Sequence, residues 1–226
     1  MFDPESPPEL TVTRWLNTRA PLTLKALKGQ VVVVVAFQML CPGCVSNALP
    51  QAKRLAGQFS DDEVVVVGLH AVFEHHAAMG PESLEAFVHE YGWGFPIAVD
   101  TPDGTGLPRT MAAYEMRGTP TLLLFDRQGR LRRHYFGHVE DMRLAAEVMA
   151  LSIEDAGASR EASVAIERKL HATLVDPNTH HGHDHAHGED CGCGHDHGAD
   201  DAHDRGHDHG HDHGHGGTAK PGRRTV

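Results

Sequence analysis

Positive charge is what this chain has little of. Twenty Lys and Arg stand against thirty-one Asp and Glu, a formal net charge of −11 with histidine counted as neutral. No basic stripe marks any segment, which sets aside nucleic acid as a partner. Long apolar runs are missing as well. The longest, Val31 to Phe37, falls far short of the roughly 20 residues a membrane-spanning helix needs, so no membrane is expected. The opening, Met1-Phe2-Asp3-Pro4-Glu5-Ser6-Pro7-Pro8-Glu9, is acidic and proline-rich. It has neither a basic n-region nor an apolar h-region, which argues against a secretory signal. Cysteine is scarce, with four in 226 residues. The expected location is the cytoplasm, where a disulfide is usually transient and catalytic rather than structural.

What is present organises itself into one core-forming region and a tail. The last segment has almost no apolar content, so the part able to bury a core is about 150–175 residues, enough for one domain. Residues 1–9 are expected to be disordered, and 10–18 alternate as a strand. Pro21 to Gly29 is a short strand or turn. Val31 to Phe37 is apolar at both parities, as a parallel strand covered on both faces requires. Val45, Leu49, Ala52, Leu55, Ala56 and Phe59 recur at helical spacing, which predicts a helix over 42–58 with a kink at Pro50. Val64 to Leu69 is a second buried strand, closing a β-α-β unit. A helix over Pro81–Tyr91, a strand over Phe95–Val99 and a helix over Leu107–Glu115 follow. Thr121–Phe125 and Leu131–Phe136, joined through Asp126-Arg127-Gln128-Gly129-Arg130, read as a hairpin, and Val139–Leu151 as a closing helix. The pattern is an α/β sandwich with a mixed central sheet flanked by helices. Residues 154–178 form a linker in which Ile166, Leu170 and Leu174 allow one further helix, for docking or dimerisation. Residues 179–226 are low-complexity and expected to be disordered without metal.

Cys41-Pro42-Gly43-Cys44 stands directly behind the valine run. A bare C-x-x-C is as often half of a zinc site as a redox pair, but here it follows a buried strand and opens a helix. With Met116-Arg117-Gly118-Thr119-Pro120-Thr121 and the Asp126–Arg130 turn, the region 10–152 resembles the thioredoxin-like redoxins of the TlpA/ResA and AhpC/TSA grouping. The resemblance implies a thioredoxin-like fold and a redox-active Cys41/Cys44 pair. It also implies a cis bond between Thr119 and Pro120, lying against that pair. This chain departs from the family at several positions. A peroxiredoxin carries Pro-x-x-x-Thr-x-x-Cys, whereas Val34, Gln38 and Cys41 stand there. The frequent Trp before the first cysteine is Leu40. The acid that family members bury six residues before that cysteine, or place three after the second, is replaced by Val35 or Asn47.

At a helix N-terminus free backbone N–H groups favour a thiolate, so Cys41 would be the nucleophile and the more buried Cys44 the resolving thiol. Strand 64–69 is expected to run parallel to 31–37, bringing His70 to the carboxyl edge where ligands of open α/β sheets collect. His70 or Glu74 is therefore the candidate base for Cys44 in place of the missing acid. The same residues with His75 and His76 leave a second possibility open, a Cys₂His₂ zinc set around Cys41 and Cys44.

The tail carries His180, His181, His183, His185, His187, Cys191, Cys193, His195, His197, His203, His207, His209, His211, His213 and His215, mixed with Asp and Gly. Imidazole suits zinc, nickel, copper and cobalt, and thiolates suit zinc or Cu(I), so the tail is expected to bind such divalent transition metals. No cofactor is expected for catalysis. The leading function is a thiol–disulfide oxidoreductase, with a disulfide-bearing protein or small-molecule thiol as substrate and a reductant the sequence does not identify. Two alternatives stand beside it. One is a metal-storage or metal-chaperone protein on a redoxin scaffold that would keep Cys191 and Cys193 reduced. The other is a thiol peroxidase.

Overall fold

The computed structural model describes residues 2–174 except Thr105 and Ala156. Six strands and five α-helices alternate along this part of the chain: β1 Val12–Leu16, β2 Val31–Phe37, α1 Leu49–Ala56, β3 Val64–His70, α2 Pro81–Tyr91, β4 Ile97–Asp100, α3 Arg109–Ala113, β5 Thr121–Phe125, β6 Leu131–Phe136, α4 Asp141–Ser152 and α5 Arg160–Thr173. They build one mixed sheet in the order β1-β4-β3-β2-β5-β6. β2 pairs with β3 in parallel from Val31↔Val64 to Phe37↔His70, and β5 runs antiparallel along its other side. No helix among the described residues is long and apolar enough to cross a membrane.

The valine run explains why β2 is central. Val31, Val33, Val35 and Phe37 point into one core with Cys44, Leu49, Leu55, Leu84, Leu144 and Val148. Val32, Val34 and Ala36 point into the other, with Leu24, Met111, Tyr114, Leu123 and Phe125. A strand coated on both faces needs apolar residues at both parities, and all seven of its residues are buried.

Several elements depart from the pattern in the sequence. The helix expected over 42–58 runs from 42 to 56 without a gap, but it changes character within: a π-helical turn spans Cys44–Ala48, and the α-helical hydrogen bonding of α1 resumes at Leu49, whose N–H donates to Cys44 O. Pro50 then falls in the first turn of α1, where its missing N–H costs nothing. The irregular turn lies ahead of the proline rather than at it. Residues 2–9, expected to be disordered, are held. The Phe2 ring lies 5.0 Å from that of Tyr114, Pro4 O accepts from Leu131 N at 2.8 Å, and the Glu9 carboxylate accepts from Leu24 N and Lys25 N at 2.7 and 2.8 Å. Residues 21–30 make turns, one of the two forms their sequence allowed. The helix near Arg109 is short, and its N-terminus is held by the buried Asp100, which accepts from Thr110 N at 2.8 Å and Met111 N at 3.0 Å.

The linker expected over 154–178 contains α5, capped by Ser159 and docked through buried charge. Arg132 donates to Asp126 at 3.0 Å and to Glu154 at 3.0 Å, and also to Glu167 of α5. Arg130 meets Asp126 at 2.7 Å and Ser163 at 2.9 Å. Burial alone would lower the Arg132 guanidinium, but Glu154, Glu167 and Asp126 outweigh it and hold it above the usual arginine range. The hairpin turn feeds this network, because Asp126 also accepts from Gln128 N and Arg130 N. Gly129 supplies the left-handed conformation there, at φ 81°.

Removing one partner from a buried charge network leaves the others uncompensated. Arg132→Met is expected to cost about 3–5 kcal/mol in urea denaturation. Arg14→Ala, which breaks only the exposed pair with Glu85, is expected to cost no more than about 1 kcal/mol.

Candidate active site

The carboxyl end of β2 delivers the cysteines. After Phe37 the chain leaves the sheet, Cys41 N donates to Gln38 O at 3.3 Å, and Cys44 N and Val45 N donate to Cys41 O at 3.0 and 3.1 Å. These bonds fold the C-x-x-C into the first turn ahead of the π-helical segment. Both cysteines are free thiols, Cys41 partly exposed and Cys44 fully buried. The loop before β5 closes over them. The Thr119–Pro120 peptide bond is cis, the Cys41 thiol donates to Thr119 O at 3.4 Å, and a Cβ on Gly43 would sit 3.5 Å from Pro120 Cδ. Residues 75 or more positions apart in sequence thus meet at one sulfur. Thr121 Oγ1 fixes the loop by donating to Gly118 O at 2.7 Å.

The two thiols have different surroundings. Burial first, and then the neighbouring Cys41 thiol, push Cys44 up to about 12, against the opposing influence of the Gln38 backbone and Thr119. Cys44 is therefore held protonated at neutral pH. Cys41 is the sulfur that solvent can reach.

His70 lies where the parallel pairing puts it, opposite Phe37 at the end of β3, with ring centroids 5.2 Å apart. It faces the same core as Cys44, since Phe37 and Cys44 belong to one cluster. It is 2 % exposed, and its Nε2 has no hydrogen-bond partner. Burial lowers it to about 4, so it is a neutral imidazole. Glu74, His75 and His76 are exposed on the following loop. Neither His70 nor Glu74 hydrogen-bonds to a cysteine. Among the described residues no group of three or more His, Cys, Asp or Glu is gathered that could hold a metal ion. A zinc set built from Cys41, Cys44 and the nearby histidines is therefore not assembled, because His75 and His76 point to solvent while Cys44 is buried. The tail residues His180 to His215 lie outside the described residues.

One feature of the site escaped sequence reasoning. Gln38 is 1 % exposed, and both atoms of its side-chain amide are buried without partners. Its signal in the sequence is slight: one polar residue between Phe37 and Met39, at the position where a peroxiredoxin has threonine.

Residues 6–134 match the AhpC/TSA family. Among solved structures, a thioredoxin-like superfamily protein superposes with a TM-score of 0.64 at 53 % identity, over 66 % of this chain and 96 % of that one. A thiol-disulfide isomerase from Corynebacterium glutamicum gives a TM-score of 0.64 at 44 % identity, over 67 % of this chain and 98 % of that one. The chain is also 28 % identical over 123 residues to the thiol-disulfide oxidoreductase ResA of Halalkalibacterium halodurans, covering 54 % of this chain and 62 % of that protein. The fold is thioredoxin-like. The chain spans only 22 % and 17 % of the length of the first curated relatives it matches.

Two measurements check the electrostatics. In the folded dithiol at pH 8, iodoacetamide is expected to alkylate Cys41 and leave Cys44 untouched, read by mass spectrometry of the digest. For His70 the folded value, about 4, lies below the ordinary 6.5. The unfolded chain therefore binds a proton that the folded chain refuses, and stability is lost as the pH falls from 6.5 toward 4. Between pH 7.5 and pH 5 this histidine alone is expected to remove about 2 kcal/mol of stability. That increment should vanish in His70→Leu when urea midpoints are compared at the two pH values.

Proposed function

The chain belongs to the AhpC/TSA family, and we propose that it is a thiol–disulfide oxidoreductase acting through Cys41 and Cys44. The observation that carries this reading is the pairing of a solvent-reachable Cys41, bonded to Thr119 O at 3.4 Å, with a buried Cys44 held protonated beneath it. The similarity to a thiol-disulfide isomerase and to ResA supports it.

In the reducing direction Cys41, as thiolate, attacks one sulfur of a substrate disulfide. A Cys41–substrate disulfide forms, and the other substrate sulfur leaves as a thiolate that takes a proton from solvent. Cys44 then loses its proton and attacks Cys41 Sγ. The substrate's second thiolate leaves, and the Cys41–Cys44 disulfide remains. Two electrons have passed to the substrate, and a dithiol donor must return them to close the cycle. The disulfide-bearing substrate is a protein or a small molecule.

The second step needs a proton acceptor in a dry setting, because the family's usual acid is Val35 or Asn47 here. His70 is the acceptor this reading favours over Glu74. It is buried on the Cys44 face and neutral, with Nε2 unpartnered, whereas Glu74 is exposed. Burial opposes charge on either group alone. Moving the proton from Cys44 to His70 creates two opposite charges together, and each favours the other.

A metal-binding tail is the second part of the proposal, supported by the run of imidazole, carboxylate and thiolate ligands from His180 to His215. Zinc, nickel, copper and cobalt are its expected ions, and storage or buffering is the role that demands least. A metal-handling protein on a redoxin scaffold is the competing reading.

Turnover of insulin or DTNB with dithiothreitol separates the two. Cys41→Ser is expected to abolish turnover, Cys44→Ser to accumulate a mixed disulfide with substrate, and a truncation before His180 to keep turnover while losing metal uptake by equilibrium dialysis. Full metal uptake with no turnover in the wild type would reverse the order of the two readings. His70→Leu is expected to slow release of the mixed disulfide at least tenfold and to remove the pH dependence of that step. If the pH profile is the same in His70→Leu and Glu74→Gln/His70→Leu as in the wild type, His70 is not the acceptor.

A further inference from the structure

Beside the redox thiol lies an exposed cation on an aromatic platform that the thiol chemistry does not use. Phe136, the last residue of β6, is half-exposed. Its ring covers Gly118 so closely that a Cβ there would sit 3.1 Å from its Cε2. The Arg117 guanidinium lies over the same ring, 5.1 Å from its centroid. Gly137 N, next in sequence, donates to Pro120 O at 2.8 Å, which ties the end of β6 to the loop that touches Cys41. Thr119 O bonds the Cys41 thiol, and Arg117 is two residues before Thr119, a span of at most ~7 Å of backbone. Leu40, immediately before Cys41, is exposed as well.

Among the described residues Arg117 has no acidic partner. Stacking on Phe136 restricts its long side chain before any ligand arrives, so less freedom is lost when it pairs. An exposed, pre-positioned guanidinium two residues from the carbonyl that bonds the Cys41 thiol selects for charge of the opposite sign. Apolar neighbours of the substrate cysteine find Leu40 and the free edge of Phe136.

We infer that Arg117, seated on Phe136, makes this site selective for polypeptide disulfides that carry an Asp or Glu beside the cysteine attacked by Cys41. The inference rests on the oxidoreductase reading above and names its substrate class. Arg117 is a specificity residue on this account and takes no part in electron transfer.

The test uses two disulfide-bonded model peptides identical except for Glu or Gln next to the reactive cysteine, reduced by the full-length protein with dithiothreitol as electron source. The kcat/KM ratio, Glu peptide over Gln peptide, is expected to be about three to five at low salt, the scale of one exposed ion pair. It is expected to fall to near one in Arg117→Gln and in the wild type at 0.5 M NaCl. A ratio of one in the wild type, or a raised ratio that Arg117→Gln leaves unchanged, overturns the inference while leaving the oxidoreductase reading intact. If neither peptide is reduced, or if Cys41→Ser reduces them as the wild type does, the oxidoreductase reading fails and the inference falls with it.

Discussion

The parallel pairing of β2 with β3 is the constraint on which the rest of the site depends. Seven consecutive residues of β2 are buried because helices or loops cover both faces of the strand. Strands buried in this way have no freedom to slip, since a shift of one residue would exchange the contents of the two cores. The register is therefore fixed through to Phe37↔His70. Cys41 leaves the sheet from the end of one strand, and His70 stands at the end of the other. Antiparallel β5 on the far side of β2 starts at Thr121 opposite Ala36, which brings the Thr119–Pro120 loop down onto Cys41. Three chain segments distant in sequence converge because one strand is locked between two neighbours.

Much of this was legible in the residues. Apolar residues at both parities marked β2 and β3 as interior parallel strands, and the C-x-x-C behind β2 placed the cysteine pair at the sheet's carboxyl edge. Thr119-Pro120 ahead of an apolar strand and the Asp126–Arg130 turn completed the outline. What was not legible has physical causes. The π-helical turn at Cys44–Ala48 depends on where a missing proline donor can be tolerated in three dimensions, and periodicity does not report that. The held N-terminal segment is polar and proline-rich, so nothing in its composition signals order. Its order comes from Tyr114, Leu131 and the backbone at Leu24–Lys25. The docking of α5 rests on Arg130, Arg132, Asp126 and Glu154, charged residues that pattern reading assigns to solvent. Only the fold shows that they are buried and paired.

In the proposed oxidoreductase the cysteine pair faces two opposite demands on polarity. Cys41 must meet solvent and a substrate, while Cys44 must be kept from reacting until the first bond has formed. Complete burial of Cys44 meets the second demand by holding its proton tightly. The same burial makes that proton hard to remove when its turn comes. A carboxylate six residues before Cys41 would put a buried acid into β2, and this chain has Val35 there instead, opposite Gly68 on β3. Gly68 leaves room only for Phe37, Phe95 and Ile97 side chains, all within 3.3 Å of where a Cβ would be. Replacing valine by an acid at that level would place charge in an otherwise apolar layer.

The polar groups that the site does retain are moved to its edge and left unpaired. His70 Nε2 and both ends of the Gln38 amide are buried without partners, and each such group costs about 1–3 kcal/mol. Away from a reactive centre that cost is usually relieved by a neighbouring donor or acceptor. Gln38 lies within the segment from Phe37 to Cys44 and His70 beside its start, where the groups needing partners would change during the proposed thiol–disulfide cycle. A thiol is a weak donor, a thiolate is an acceptor, and a disulfide is neither. Unpaired donors and acceptors at the end of two locked strands are free to follow those changes without breaking a bond that the resting fold depends on.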